Sequence, residues 1–193
     1  MLTLRPWQTQ CASKADKWFK DGNRTFLMNV APGGGKTKAS CVIAKKLLED
    51  DEIDCVVAIA PRRPVVHQWA DDFQQICGRT MLQITGSDED LGAYTGIDFA
   101  ITWSSLNDAS AAFYQICQNK RVLAICDEHH HAGQGNPWGD GADNARLAMG
   151  DARGCRALAR SGAERRAMAV SRKYAGNSWQ HEQRTLTSSD DPR

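Results

Sequence analysis

No stretch of this 193-residue chain stays apolar for the ~18 residues that a membrane-spanning helix requires, so no such helix is expected. Cys-x-x-Cys pairs are also missing. The seven cysteines, Cys11, Cys41, Cys55, Cys77, Cys117, Cys126 and Cys155, are odd in number and sit mostly within apolar segments. They read as buried thiols of a reducing compartment, and the cytoplasm fits them. The opening, Met1 to Arg5 running into Pro6 and Trp7, lacks the charged and then apolar pattern of a secretory signal, and export is not expected. No internal repeat is present. Neither sign of charge prevails: the formal net charge is +1, which by itself decides nothing about a nucleic-acid partner.

The charge that is there divides unevenly. Residues 1–145 hold 14 Lys plus Arg against 18 Asp plus Glu, a net of −4, whereas residues 146–193 hold 10 against 5, a net of +5. The second stretch uses nine Arg and one Lys, with no Ile, no Phe and a single Val. It offers little to a sheet core, although Arg153 to Val170 could form a helix. The expected organisation is one domain over residues 1–145 followed by a basic Arg/Ala/Gly-rich tail over 146–193 that is helical or poorly structured.

Within the first stretch, Trp7, Cys11, Ala15, Trp18 and Phe19 recur at helical spacing between Pro6 and Lys20, and Asp21, Gly22 and Asn23 stop the helix. Five apolar runs read as strands buried on both faces: Thr25 to Val30, Cys55 to Ala60, Thr80 to Ile84, Asp98 to Thr102 and Val122 to Cys126. Helices are predicted over Lys36 to Glu49, Val65 to Cys77 and Ser105 to Asn119. Strands alternating with helices in this way describe an α/β fold with a parallel sheet sandwiched by helices. Such sheets bind ligands at the carboxyl ends of their strands.

Three segments carry chemistry. Val30-Ala-Pro-Gly-Gly-Gly-Lys-Thr37 follows a predicted strand and opens a predicted helix, the context a phosphate-binding loop demands. Pro32, Gly33, Gly34 and Gly35 would wrap the phosphates, Lys36 would reach the terminal ones, and Thr37 would ligate magnesium. Val30 departs from the Gly or Ala usual at the first position. The second segment, Val122 to His131, is an apolar strand ending in Asp127 and Glu128. Asp127 is placed to hold magnesium, and Glu128 to orient and deprotonate a water. His129, His130 and His131 leave a zinc site open as an alternative, although adjacent residues rarely converge on one ion; otherwise His130 would couple nucleotide to partner. The third segment is Leu4-Arg-Pro-Trp-Gln8. Gln8 can pair with adenine through its amide and Arg5 can pack on the ring, while the other reading is a helix start with Trp7 in the core.

Together these residues resemble the DExH-box helicases and translocases of superfamily 2, in particular the phage and bacterial branch with an Arg-Pro-x-Gln adenine motif. The resemblance spans residues 2 to about 141 and implies the first, RecA-like ATP-binding domain of a nucleic-acid-dependent ATPase that uses ATP and Mg2+. Ala58 to Trp69 is similar to the family's next motif, which touches the nucleic-acid backbone, so Arg62 and Gln68 would lie on that track. Ala100 to Leu106 looks like a later motif, in which Thr102 would line the same track. Trp138-Gly-Asp140 resembles a segment of the same branch. The implied partner is nucleic acid, DNA ahead of RNA.

The family continues with a strand ending in Ser/Thr-Ala/Gly-Thr and a second RecA-like domain bearing arginine fingers, and neither is visible here. The implied motor is therefore truncated, and two readings stay open: an ATPase acting with a separate second domain, or a binding module that grips ATP or nucleic acid with weak turnover. The tail beyond residue 145 is either out-of-frame or newly joined sequence, or a basic nucleic-acid-binding segment. A kinase lid and acceptor site are not found, and the Asn-Lys-x-Asp of a GTPase is absent.

Overall fold

The computed structural model describes residues 3–86, 97–128 and 155–161. Helix α1 (Pro6–Lys20) begins with Pro6 in its first turn, where no amide donor is needed, and leads into strand β1 (Thr25–Asn29). Then follow α2 (Lys36–Glu49), β2 (Cys55–Ala60), α3 (Arg63–Cys77), β3 (Met81–Ile84), β4 (Asp98–Thr102), α4 (Trp103–Asp108), α5 (Ser110–Asn119), β5 (Val122–Cys126) and β6 (Arg156–Ser161). The predicted bounds hold for α1, α2, β2, β4 and β5. Helix α3 starts earlier than expected because Pro64 suits a first turn. The single helix expected over Ser105 to Asn119 is two. Thr102 caps α4 by accepting the Ser105 amide, and the chain breaks at Ala109 after Asn107 and Asp108, both poor helix formers.

The six strands among the described residues all pair in parallel, in the order β1-β6-β5-β2-β4-β3. Every side chain of β2 is buried, as expected of a strand covered on both faces. Helices α1, α2 and α3 enclose one core around Phe19, Met28, Ile43, Leu47, Trp69 and Phe73, and α4 and α5 enclose the other around Phe99, Trp103, Phe113 and Ile116. This is a RecA-like α/β sandwich.

One expectation is corrected. The stretch thought to offer little to a sheet supplies β6, which lies between β1 and β5, so the sheet draws on residues beyond 145 and Arg156–Ser161 is strand rather than helix. The strand is seated by tertiary pairing: Ala157 N–H donates to Arg24 O at 2.7 Å, Arg24 Nε donates to Cys155 O at 3.2 Å, and Arg156 Nη2 meets Glu52 Oε2 at 2.5 Å. Leu158 is fully buried in the middle. The remainder of the tail, His129 to His131 and Trp138 to Asp140 lie outside the described residues. No described helix is long and apolar enough to cross a membrane.

Candidate functional site

The carboxyl ends of β1, β6, β5 and β2 lie side by side, and the segments singled out from sequence leave from them. After β1 the chain turns through Gly33 (φ +73°) and Gly35 (φ +87°), the latter being the residue before α2. A Cβ on Gly34 would fall 2.5 Å from Val30 Cγ1 and 2.9 Å from Ala31 O, and one on Gly35 would fall 2.6 Å from Gln8 Nε2. The turn is thus closed from below by Val30, which is 4% exposed. The departure at this position places an apolar side chain in the core, and Gly34 accommodates it.

Lys36 is buried. Its Nζ lies 3.1 Å from Glu128 Oε1 and donates to Val30 O at 3.4 Å. The glycine turn and the acidic pair therefore face each other, as the sequence spacing implied. Glu128 adopts φ +49°, a left-handed conformation that costs a non-glycine residue on the order of 1 kcal/mol. The turn lifts its carboxylate from β5 toward Lys36.

Asp127 is 5% exposed and fixed from three sides. Its N–H donates to Ile59 O at 2.8 Å, its carbonyl accepts from Trp103 Nε1 at 3.2 Å, and Oδ2 accepts from Trp69 Nε1 at 3.3 Å. Oδ1 is buried and accepts no hydrogen bond among the described residues. An oxygen so placed near the Thr37 hydroxyl, beside a turn that leaves no room for a Cβ at two positions, faces a position suited to a positive charge next to phosphates.

At the edge of the turn, Gln8 uses both amide atoms. Oε1 accepts the Arg5 N–H at 2.8 Å and Nε2 donates to Gly35 O at 3.0 Å, while Arg5 Nη1 approaches Gly34 O at 3.5 Å. Arg5 and Gln8 are thereby brought to the loop, with one N–H and one lone pair of the amide left over among the described residues. Arg62, extended just before α3, and Gln68 are exposed. Thr102 is 5% exposed, and its hydroxyl caps α4 and makes a 2.8 Å bond to Ser105 Oγ.

Sequence reasoning missed Arg160, Trp69 and Trp103. Arg160 projects from β6 into the site: Nη2 donates to Thr37 Oγ1 at 3.1 Å and lies 3.5 Å from Asp127 Oδ1, and the guanidinium carbon sits 4.7 Å over the Trp69 ring. Burial lowers its affinity for a proton and Asp127 opposes that effect. The one available signal was an arginine directly after the apolar run Ala157-Leu-Ala159, disguised by the arginines around it. Cys126, beside Asp127, has its thiol pushed up to about 12, chiefly by burial and then by that carboxylate.

The family model described as "Type III restriction enzyme, res subunit" matches residues 1–149. The uncharacterized protein Rv2917 of Mycobacterium tuberculosis is 27% identical over 150 residues, covering 77% of this chain and 24% of that protein. The uncharacterized protein ML1624 of Mycobacterium leprae is 25% identical over 140 residues, covering 71% and 22%. The chain thus spans about a quarter of the length of these relatives. Among solved structures, the Hef helicase domain of Pyrococcus furiosus superposes with a TM-score of 0.67 at 16% identity, over 95% of this chain and 38% of that one. The type ISP restriction-modification enzyme LlaBIII, bound to DNA, gives 0.64 at 18% identity over 83% and 13%. With the sheet order and the matched residues in hand, the chain belongs to the family of Type III restriction enzyme res subunits and carries the RecA-like N-terminal domain of superfamily 2 helicases.

Proposed function

We infer that this chain is the first motor domain of a nucleic-acid-dependent ATPase, binding ATP at the β1–α2 turn. The observation that carries the reading is the 3.1 Å approach of Lys36 Nζ to Glu128 Oε1, which joins a phosphate-type loop to an acidic strand end. With nucleotide present, Lys36 would exchange Glu128 for a terminal phosphate, and Glu128 would become free to orient a water and take its proton. Pro32, Gly33, Gly34 and Gly35 would shape the cradle, with loop amides turned toward the phosphates. Arg5 and Gln8, already against the loop, would read the base. In this reading Thr37 and Asp127 are the residues that would hold magnesium, and the ion would offset phosphate charge.

Nucleic acid is the proposed partner, along a track that Arg62, Gln68 and Thr102 would line. LlaBIII is bound to DNA and LlaGI is in complex with a DNA substrate mimic, which favours DNA over RNA for this chain. A second RecA-like domain is a proposed partner too, since arginine fingers contribute roughly 10³ to 10⁵ in turnover to phosphate-loop enzymes. The buried thiols support a cytoplasmic setting.

Phosphate release measured with and without single-stranded DNA, duplex DNA and RNA tests the ATPase. Stimulated release supports it, and background release under every condition favours the second reading, a nucleotide-binding module with little turnover. That second reading has its own observation, the guanidinium of Arg160 on Thr37 and Asp127. Lys36→Ala should abolish nucleotide binding; parental affinity in the variant would remove the site assignment.

A further inference from the structure

Among the described residues, four charged side chains meet at the phosphate turn and the acidic strand end. Lys36 and Arg160 are cations, Asp127 and Glu128 are anions, and Lys36 already pairs with Glu128. Arg160 Nη2 in turn lies 3.5 Å from Asp127 Oδ1. It also reaches Thr37 Oγ1, so one guanidinium nitrogen bridges the two residues that would hold magnesium. Without Arg160, Asp127 would lose the one cation that stands beside it among the described residues and would invite another.

The guanidinium has little freedom to leave. Arg160 is 2% exposed, rises from a strand paired on both sides, and lies over the Trp69 ring. Trp69 is itself fully buried and bonded to Asp127, so ring, carboxylate and guanidinium support one another. A divalent ion placed between Thr37 and Asp127 would stand within a few ångströms of this charge, where like charges in a poorly hydrated site repel strongly.

We propose that Arg160 is a built-in cation seated where magnesium would bind, so that this chain holds a nucleoside triphosphate without a divalent metal. The proposal rests on the nucleotide-binding reading above and refines it toward the module with little turnover. Lys36, Arg160 and the loop amides supply the positive charge that the phosphates require. The fixed guanidinium replaces an exchangeable ion.

The test measures the affinity of a fluorescent ATP analogue in EDTA and in excess magnesium, for the parent, Arg160→Leu and Lys36→Ala. Leucine suits a buried strand position and removes only the charge and its reach. The parent should bind within about threefold equally in both buffers; Arg160→Leu should lose roughly tenfold or more in EDTA, the value of a charge-assisted bond, and regain it with magnesium. Parental binding tightened about tenfold or more by magnesium overturns the proposal, whether or not the variant folds. Parental affinity in Lys36→Ala, or no binding by any protein, removes the nucleotide reading instead. Arg160 is then decided by titrating the nucleotide-free proteins with Mn2+ and following free ion by electron paramagnetic resonance. Retention by Arg160→Leu and none by the parent upholds the seat, and any other pattern rejects it.

Discussion

The indole N–H of Trp69 donates to Oδ2 of Asp127 at 3.3 Å, tying the middle of α3 to the tip of β5. Both groups are withdrawn from water, so the carboxylate oxygen has no solvent to replace the indole. Trp69→Phe keeps an aromatic ring in the core and removes the donor. Stability should fall by ~1–3 kcal/mol for the unsatisfied acceptor, with a further loss from the smaller ring. Urea denaturation measures this, and an unchanged midpoint would show that the indole does not hold Asp127.

The glycines of the β1–α2 turn are separable by cause. Gly33 and Gly35 both have positive φ, but a Cβ on Gly33 meets nothing within 4 Å, whereas one on Gly35 meets Gln8 Nε2 at 2.6 Å. Gly33→Ala should therefore cost only backbone strain, ~1–2 kcal/mol. Gly35→Ala should cost more, because it also breaks the Gln8 bond to the loop. Equal denaturation midpoints for the two variants would dismiss Gln8 as the element that closes the turn.

Much of this was legible before the structure. Strands such as Cys55–Ala60 and Val122–Cys126 are continuous apolar runs, and Lys36–Glu49 follows a glycine turn, so composition and punctuation fixed their bounds. The facing of Lys36 and Glu128 followed from parallel strands ending on one side. Strand β6 was hidden, because Arg156 and Arg160 flank only three small or apolar residues and both arginines find their partners far away, at Glu52 and Asp127. Tertiary ion pairing let a polar segment enter a sheet, and no local pattern encodes that. The capping role of Thr102 was hidden for a similar reason: its hydroxyl serves the start of α4, a cap visible only once the helix began at Trp103.

Alkali should weaken the fold through buried thiols. Cys55 is fully buried, and burial, with Asp98 and Asp54 adding charge, pushes its thiol from 9.0 up to about 12. A folded-state value above the unfolded one means the stabilising contribution is complete below pH 9.0 and is lost as pH rises toward about 12. Cys11, raised to about 11, and Cys77, raised to about 12, act with the same sign. The urea midpoint should thus decline above pH 9.0, and Cys55→Ala should decline less steeply while starting lower. An identical slope in the variant would assign the alkaline loss to other groups.

Strand β6 is the piece on which the sheet depends most. It fills the gap between β1, which leads into the glycine turn, and β5, which carries the acidic pair. Removing it would leave β1 and β5 with unpaired backbone groups on their facing edges, uncover the core around Leu158, and separate Thr37 from Asp127. A chain ending at residue 154 should therefore unfold without cooperativity or aggregate, whereas the full chain should show one cooperative transition. Leu158→Asp, which keeps the length but buries an unpaired carboxylate, should reproduce most of that loss. Calorimetry of the three proteins decides the matter: a shortened chain that melts cooperatively at the parental temperature would mean that β1 and β5 pair without their intervening strand, and that Arg160 has no structural claim on the site.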